Sequence, residues 1–556
     1  PQVLRDYYET WYRPDNQGII VVGNVDVDYV EKKIKELFGG IVMPENAKPV
    51  VTEKVPDNNE PIIILDKDKE QQMTALMMMF KHDAVPNEAK GTIDYMMLNY
   101  AKSIAAYMLN SRLAEYAQKP ESPFVGAEVG DGNFLFANTK GAFSLEATPK
   151  DGQIEASLAA VYREALRAAE FGFTATEYER AKASTLSSLE KSYSNKDKRY
   201  NSQFCNAYKA HFLRNEPIPS IDFRYQTMKQ VIPMLPLEAI NETMKEMVAK
   251  TDSNLVVLCF QNEKEGNVYP TRESILKAIA DVRAEKLEAF VDNVKNEPII
   301  STLPKKGKIT KEKENTTFGY KELQLSNGAR VILKKTDYKK DEVILKANAV
   351  GGTSEYDSKD FANIKLFNDV VEASGLGNFT STELQKALAG KIAGMSLSMS
   401  NTRVNIGGSS TPKDVETMFQ LLYLTFTKLN KDQEAYDNLM KQYELYLKNM
   451  SLSPDAAFSD SVSVTMNCHN PRFATITEND LKQVSYDRIL EMAARATSNA
   501  AAFTFFIIGN YDEATIRPLI EQYVASLPVV KTKVKTRNVS TPFKGIAINN
   551  FKRKME

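Results

Sequence analysis

The pattern of apolar positions repeats near the two ends of the chain. Residues 19–26 and 505–512 each hold a short apolar run that closes in Gly-Asn-x-Asp, and apolar residues at helical spacing follow each copy. A buried strand, a tight turn and an amphipathic helix produce this pattern. We therefore expect residues 19–40 and 505–526 to be equivalent strand–turn–helix units of a duplicated architecture whose repeats are cut by both ends of the chain.

Apolar runs and helical periodicities alternate through the first half of the chain. Short apolar runs predict strands at residues 61–65, 74–80, 124–128, 142–147 and 255–260. Stretches with a 3.6-residue period predict helices near residues 90–118, 152–170, 175–192 and 236–250. Together these elements predict an α+β fold, in which helices cover one face of a mixed, mainly antiparallel sheet.

The second half opens with a hairpin signal. Asn327-Gly328 divides two alternating segments within residues 323–333, and this dipeptide accepts the positive φ angles of a tight turn. A strand is predicted at residues 343–350, and a further strand at 546–549 resembles the run at 62–64. Helices are predicted near residues 359–373, 412–430 and 432–449.

Residues 266–317 differ in composition from both halves. A charged helix is predicted around residues 272–294, and a Lys/Glu-rich stretch follows at 305–314. Few apolar side chains are available there to anchor the backbone, so a solvated linker is predicted.

Composition narrows the functional classes. The 556 residues are 43% hydrophobic, and 71 basic residues against 72 acidic ones leave a net charge of -1. Nucleic-acid binding is disfavoured because it needs a basic field. The sequence has no apolar run long enough for a transmembrane segment. Three scattered cysteines give no disulfide framework.

Three groups of residues resemble the pitrilysin/insulinase (M16) family of zinc peptidases, in its bacterial two-half form. They are Tyr12-Arg13-Pro14-Asp15-Asn16 followed by Gly23-Asn24-x-Asp26, then Ser111-Arg112-Leu113-Ala114-Glu115-Tyr116, and finally Leu325-Ser326-Asn327-Gly328-Ala329-Arg330-Val331 followed by Gly351-Gly352-x-Ser354-Glu355. The resemblance implies four homologous domains paired into two halves, which a hinge joins around a peptide-degrading chamber.

The resemblance also implies domain boundaries for this chain. Residues 1–50 would end domain 1, 51–265 would form domain 2, 266–317 the hinge linker, 318–530 domain 3, and 531–556 the start of domain 4. The remaining parts of domains 1 and 4 would then be partners of this segment within the same protein.

In this family, zinc is held by His-x-x-Glu-His and a later glutamate, and the glutamate of the motif acts as general base. This chain has only His82, His211 and His469, and no two are four residues apart. In the register of the family motif, domain 3 carries Asn363, Leu366 and Phe367 at the ligand and base positions. The resemblance therefore implies zinc in the full-length protein, with none bound by this chain.

The residues of this chain that could carry chemistry are better explained by structural roles. His211 lacks metal-type neighbours in sequence, His82 is followed by Asp83 at the end of a predicted strand, and Cys468-His469 offers too few donors for a metal site, so structural or surface roles are favoured for all three. Arg112 and Tyr116 lie four apart on a predicted helix, and they are either a helix-surface pair or weak candidates for substrate binding.

The sequence thus predicts a segment of a zinc-dependent endopeptidase that acts on peptides, supplying chamber wall and hinge but no catalytic residue. The alternative is a non-catalytic scaffold or core subunit of the same fold. Family resemblance alone suggests the bacterial periplasm or cell envelope. An His-x-x-Glu-His motif encoded upstream of Pro1 would separate the two hypotheses.

Overall fold

The computed structural model describes residues 1–69, 71, 73–263, 266–450, 453–531, 533–539, 541–550 and 552. Two helices lie near the start, α1 (Gln2–Trp11) and α2 (Val27–Phe38), and neither contains a buried residue. The two main bodies are called the first unit, residues 62–284, and the second unit, residues 309–527.

The first unit is built on a five-stranded sheet. Its strands are β1 (Ile62–Asp68), β2 (Ala75–Asp83), β3 (Phe124–Asn133), β4 (Lys140–Pro149) and β5 (Leu255–Asn262). Their order is β1-β5-β2-β4-β3, with β1 and β5 parallel and the other pairs antiparallel. The helices of this unit are α3 (Ile93–Ala117), α4 (Ile154–Phe171), α5 (Ala175–Ser194), α6 (Asn201–Arg214), α7 (Ile221–Met234), α8 (Leu237–Met247) and α9 (Arg272–Ala284). One apolar cluster joins the sheet to all of them except α6, which has no buried residue.

The second unit is built on a seven-stranded sheet. Its strands are β6 (Ile309–Asn315), β7 (Tyr320–Leu325), β8 (Arg330–Lys335), β9 (Val343–Val350), β11 (Ala393–Met399), β12 (Arg403–Ser410) and β14 (Thr504–Gly509), while β10 (Gly375–Leu376) and β13 (Leu429–Asn430) form a separate small ladder. The sheet order is β11-β12-β9-β14-β8-β7-β6, and only β14 and β8 are parallel among these described pairs.

Helices of the second unit follow the same layered plan. They are α10 (Phe361–Ala373), α11 (Ser381–Ala387), α12 (Val415–Thr427), α13 (Gln433–Met450), α14 (Pro454–Met466), α15 (Glu478–Leu481), α16 (Tyr486–Ala496) and α17 (Glu513–Leu519), which continues as one π-helical turn over Ile520–Val524. Alternate residues of β9 are buried, because one face of the strand packs on this helix layer.

The two units share one topology. In chain order, β1, β2, β3, β4 and β5 take the sheet positions that β8, β9, β11, β12 and β14 take in the second unit. The parallel pair and the three antiparallel pairs also correspond. The predicted α+β architecture of repeated domains is therefore confirmed, and β6 and β7 are additions at one edge of the second sheet.

The end-repeat prediction holds only for its second copy. Residues 504–509 form a strand, whereas residues 19–22 form no strand or ladder, and the side chains of Ile19 and Val21 are 49% and 50% exposed. The predicted strand at 546–549 is also absent, and Ile546 is 94% exposed. An apolar run forms a strand only beside a partner that satisfies its backbone groups, and no described residue pairs with either run.

The charged region before the second unit also differs from expectation. Helix α9 ends at Ala284, and residues 309–315 form β6, paired antiparallel with β7, where composition predicts solvated linker. Lys/Glu-rich sequence suits an edge strand, because charge discourages pairing with other chains. Helix α7 was not predicted.

No helix within the described ranges is long and apolar enough to cross a membrane.

Candidate functional site

The candidate site lies where β9 leads into α10. Gly351 and Gly352 form the turn, with φ angles of 150° and 88°. A Cβ on Gly352 would lie 2.2 Å from the carbonyl oxygen of Ser400, so only glycine fits this position. The turn aims α10 back across the sheet and sets the depth of its side chains.

The three residues in the register of the zinc motif are buried in structural roles. Leu366 and Phe367 are 1% and 0% exposed and belong to the apolar core of the second unit. Asn363 is 5% exposed. Its Nδ2 donates to Asp360 Oδ1 at 3.2 Å, and its Oδ1 accepts from the Ser485 backbone N–H at 2.8 Å.

A salt bridge closes the polar side of this site. Arg488 donates from Nε and Nη2 to the two oxygens of Asp360 at 3.0 and 2.9 Å. The hydrogen bonds from Arg488 are the main reason that the pKa of Asp360 lies below its ordinary value. Asp360 is therefore held as an anion that fixes α16 to the start of α10.

These residues do not fit a zinc ion. Leu366 and Phe367 offer no donor atom, and the amide of Asn363 is engaged on both sides. Elsewhere in the part of the chain that the structure describes, no group of three or more His, Cys, Asp or Glu side chains is arranged to hold a metal.

Arg112 is buried, and its guanidinium faces protein groups. Its Nε and Nη2 donate to Glu177 at 2.7 and 2.9 Å, and Nη2 also reaches the Gly172 carbonyl at 3.1 Å. The rings of Phe173 and Phe290 lie 4.8 and 4.2 Å from the guanidinium carbon. This geometry gives Arg112 a structural role in the first unit, and its weak candidacy for substrate binding stays a prediction.

Tyr116 is only partly buried. Its ring meets that of Phe124 edge to face at 5.6 Å, and burial raises the pKa of its hydroxyl. Its role as a weak candidate for substrate binding stays a prediction.

The structure brings together a second polar cluster that sequence reasoning missed. His82 Nε2 lies 2.8 Å from Asp131 Oδ1, and Lys102 Nζ lies 2.8 Å from Asp131 Oδ2. The second ring nitrogen of His82 lies 2.9 Å from the Asp83 carbonyl oxygen. The hydrogen bond to Asp131 is the main reason that the pKa of His82 is raised. No sequence signal links residues 49 positions apart on β2 and β3.

The two remaining histidines lie outside this cluster. His211 Nδ1 contacts the Glu216 carbonyl at 2.8 Å. His469 follows Cys468, and both adopt positive φ angles, of 57° and 51°.

Known proteins resemble this chain along nearly its whole length. The family described as Peptidase M16 inactive domain matches residues 1–185. The zinc protease PQQL-like protein of Arabidopsis thaliana is 23% identical over 94% of this chain and 49% of its own length. The probable zinc protease PqqL of Escherichia coli K12 is 23% identical over 95% of this chain and 56% of its own length.

The chain is similar to M16 peptidases, through the family match to residues 1–185 and through relatives that cover nearly all of it. It spans about half the length of the curated relatives it matches. Among solved structures, a ferredoxin protease FusC mutant in complex with Arabidopsis ferredoxin matches 97% of the chain and 59% of its own, with a TM-score of 0.58 and 17% identity. That likeness shows a shared fold.

Proposed function

We propose that this chain is part of a zinc-dependent endopeptidase that hydrolyses peptides inside a chamber formed by two halves. Two relatives that match over almost the whole chain are named zinc proteases. The domain boundaries at residues 50, 265, 317 and 530 belong to this proposal. Part of the proposed domain 4 start, including residues 553–556, lies outside the described residues.

Within that enzyme, we assign this chain the chamber wall and the hinge. The carrying observation is that Leu366 and Phe367, in the register of the zinc motif, are packed into the core of the second unit. In such an enzyme, the chemistry supplied by zinc when bound would be a water whose pKa is lowered towards neutral, so that it can act as the nucleophile. That ion would be held by residues of the complete protein outside this chain.

A non-catalytic scaffold is the second candidate. It is favoured by the match to a family described as inactive and by the loss of every donor at positions 366 and 367. The two hypotheses differ in one requirement: a peptidase needs a His-x-x-Glu-His motif elsewhere in the complete protein, whereas a scaffold does not.

The decisive experiment compares this chain with the complete protein. We expect the chain alone to contain no stoichiometric zinc by elemental mass spectrometry and to leave a quenched fluorescent peptide uncut. The complete protein should contain zinc and cleave the peptide, and both properties should vanish on treatment with a chelator. One equivalent of zinc in the chain alone would overturn its role as chamber wall and hinge. An inactive complete protein without the motif would favour the scaffold.

The hinge proposal can be tested by proteolysis. Residues 285–308 contain no helix or strand, but Asp292 is fixed by Arg180 at 2.8 and 3.0 Å, and Lys306 pairs with Glu521 at 3.1 Å. Residues 301–303, between these anchors, are exposed. We expect brief digestion to cut within 296–303 and release two stable pieces, detected by mass spectrometry, because local opening there costs little. Preferential cutting inside 51–260 would contradict the hinge assignment.

We also propose the bacterial periplasm or cell envelope as the location, by family resemblance. Immunodetection in fractionated cells tests this, and a signal confined to the cytoplasm would contradict it.

A further inference from the structure

A groove of about 960 Å³ lies in the helix layer of the first unit, away from the zinc-motif register. It is lined by α3, α5 and α7, together with the loop from Glu216 to Ser220. Ligand pockets in proteins measure roughly 300–1,000 Å³, so this groove has the size of a binding site.

Two helices present small polar side chains to this groove. Ser103 of α3 lines one wall, and Ser188 and Ser192 of α5 line the other. All three are exposed, and none has a side-chain hydrogen bond within the part of the chain that the structure describes. A serine hydroxyl both donates and accepts, so the two walls can serve N–H and C=O groups of one ligand.

A buried hydroxyl adds to the same lining. Tyr100 is 7% exposed, and burial, together with a hydrogen bond to the neighbouring Tyr178 hydroxyl, raises the pKa of its hydroxyl. The neighbouring Tyr178 hydroxyl donates to the Leu235 carbonyl at 2.8 Å.

The groove also has an apolar rim. Ile93, Ile218 and Phe223 line it and are 48%, 44% and 49% exposed. Contiguous exposed apolar side chains at a concave surface are typical of interaction sites. Pro217 and Pro219 stiffen the loop that carries Ile218.

The charges around the groove leave one cation without a partner. Lys90 Nζ lies 3.3 Å from Glu216, which also accepts from the Tyr95 hydroxyl at 3.0 Å, so these charges neutralise each other. Arg224 lines the same groove and has no ion pair among the described residues. The groove therefore attracts one negative charge.

We propose that this groove binds an extended peptide segment that carries apolar side chains beside an acidic residue. A peptide backbone offers the alternating donors and acceptors that the facing serines can bond. The apolar rim takes its side chains, and Arg224 pairs with its carboxylate. A lipid tail would leave the hydroxyls unsatisfied, and a nucleotide would need more than one free cation for its phosphates. The site binds without hydrolysis, so it can be tested apart from zinc chemistry.

The test uses the 556-residue chain and a fluorescein-labelled, end-blocked hexapeptide with one aspartate between two leucines, titrated by fluorescence anisotropy. Two matched peptides replace the aspartate by lysine or both leucines by serine. We expect saturable one-to-one binding of the first peptide and weaker binding of both others. Ser188→Trp, which fills the groove from an exposed position, should weaken binding at least about tenfold.

Charge reversal provides the sharper variant. Arg224→Glu should weaken binding of the aspartate peptide up to about fivefold, as expected for the loss of an exposed ion pair. The same variant should bind the lysine peptide more tightly. Arg5→Glu and Ser202→Trp change the same residue types at exposed positions outside the groove and should leave binding unchanged. Circular dichroism checks that each variant is folded. Absence of saturable binding to the natural chain would overturn the proposal. So would folded Ser188→Trp and Arg224→Glu variants that bind the aspartate peptide as tightly as the natural chain does.

Discussion

The two units share one strand topology but use the helix after their second strand differently. In the first unit this helix is α3, which has 25 residues and buries the ion pair of Arg112 with Glu177. In the second unit it is α10, which has 13 residues and places Leu366 and Phe367 in the apolar core. The comparison teaches that a shared strand topology does not determine which side chains the corresponding helix buries.

The outer edges of the two sheets differ as well. In the first unit β1 is the last strand, whereas in the second unit the equivalent β8 is extended by β7 and β6. The added strand β6 is mostly charged and exposed on its outer side. Such an edge resists pairing with other chains.

The largest expected loss of stability comes from breaking the buried ion pair of the first unit. Arg112→Ala leaves Glu177, which is 6% exposed, as an uncompensated buried charge and should cost about 3–5 kcal/mol of local unfolding free energy. Arg488→Ala is the matched change in the second unit, where the arginine side chain is 41% exposed, and it should cost about 1 kcal/mol or less. Native-state hydrogen exchange measures each unit separately. Equal losses would contradict the contrast between the two pairs.

The next largest effect tests whether Leu366, which the family resemblance aligns with the zinc motif, is packed in the apolar core. Leu366→Ala should destabilise the second unit by about 2–5 kcal/mol, because it removes a side chain that is 1% exposed and leaves a cavity. Leu37→Ala is the control at a 68% exposed position and should change stability by about 0.5 kcal/mol or less. Hydrogen exchange measured at increasing denaturant concentration gives the free energy of unfolding of the second unit in each variant. A small loss for Leu366→Ala would show that this position is open rather than packed.

The smallest effect concerns the His82 cluster of the first unit. The raised pKa of His82 means that the folded state binds its proton more tightly than the unfolded chain, whose histidine pKa is about 6.5. The resulting stability is fully present below that value and is lost as pH rises through the folded pKa. The side chain is 34% exposed, so screening limits the effect to under about 1 kcal/mol.

Melting temperatures between about pH 5 and 9, a window that brackets the ordinary histidine pKa, should converge for the natural chain and His82→Gln as pH rises. Asp131→Asn removes the acceptor at 2.8 Å and should weaken the same pH dependence. A stability difference between the two proteins that grows with pH would contradict a raised pKa for His82.

Local chemistry explains the predictions that succeeded. The Asn327-Gly328 turn was predictable because the φ of +85° at Gly328 is a property of one residue, and the hairpin of β7 and β8 follows from it. The alternation along β9 and the apolar spacing of α12 likewise reflect the period of each element. The inability of Leu366 and Phe367 to bind a metal is a property of their side chains alone.

Tertiary structure decided what depends on distant partners. Apolar residues 19–22 form no strand because no described strand pairs with them, whereas the similar run in β14 lies between β8 and β9. Charged residues 309–315 become a strand because β7 lies beside them. Arg112 meets Glu177 across 65 positions, and the peptide groove needs three helices at once. Sequence by itself determined most elements of the two sheets, the turn at Asn327-Gly328 and the absence of a metal-binding side chain at Leu366 and Phe367. Strand pairing, buried ion pairs and cavities required the fold, because each joins groups that only chain folding brings into contact.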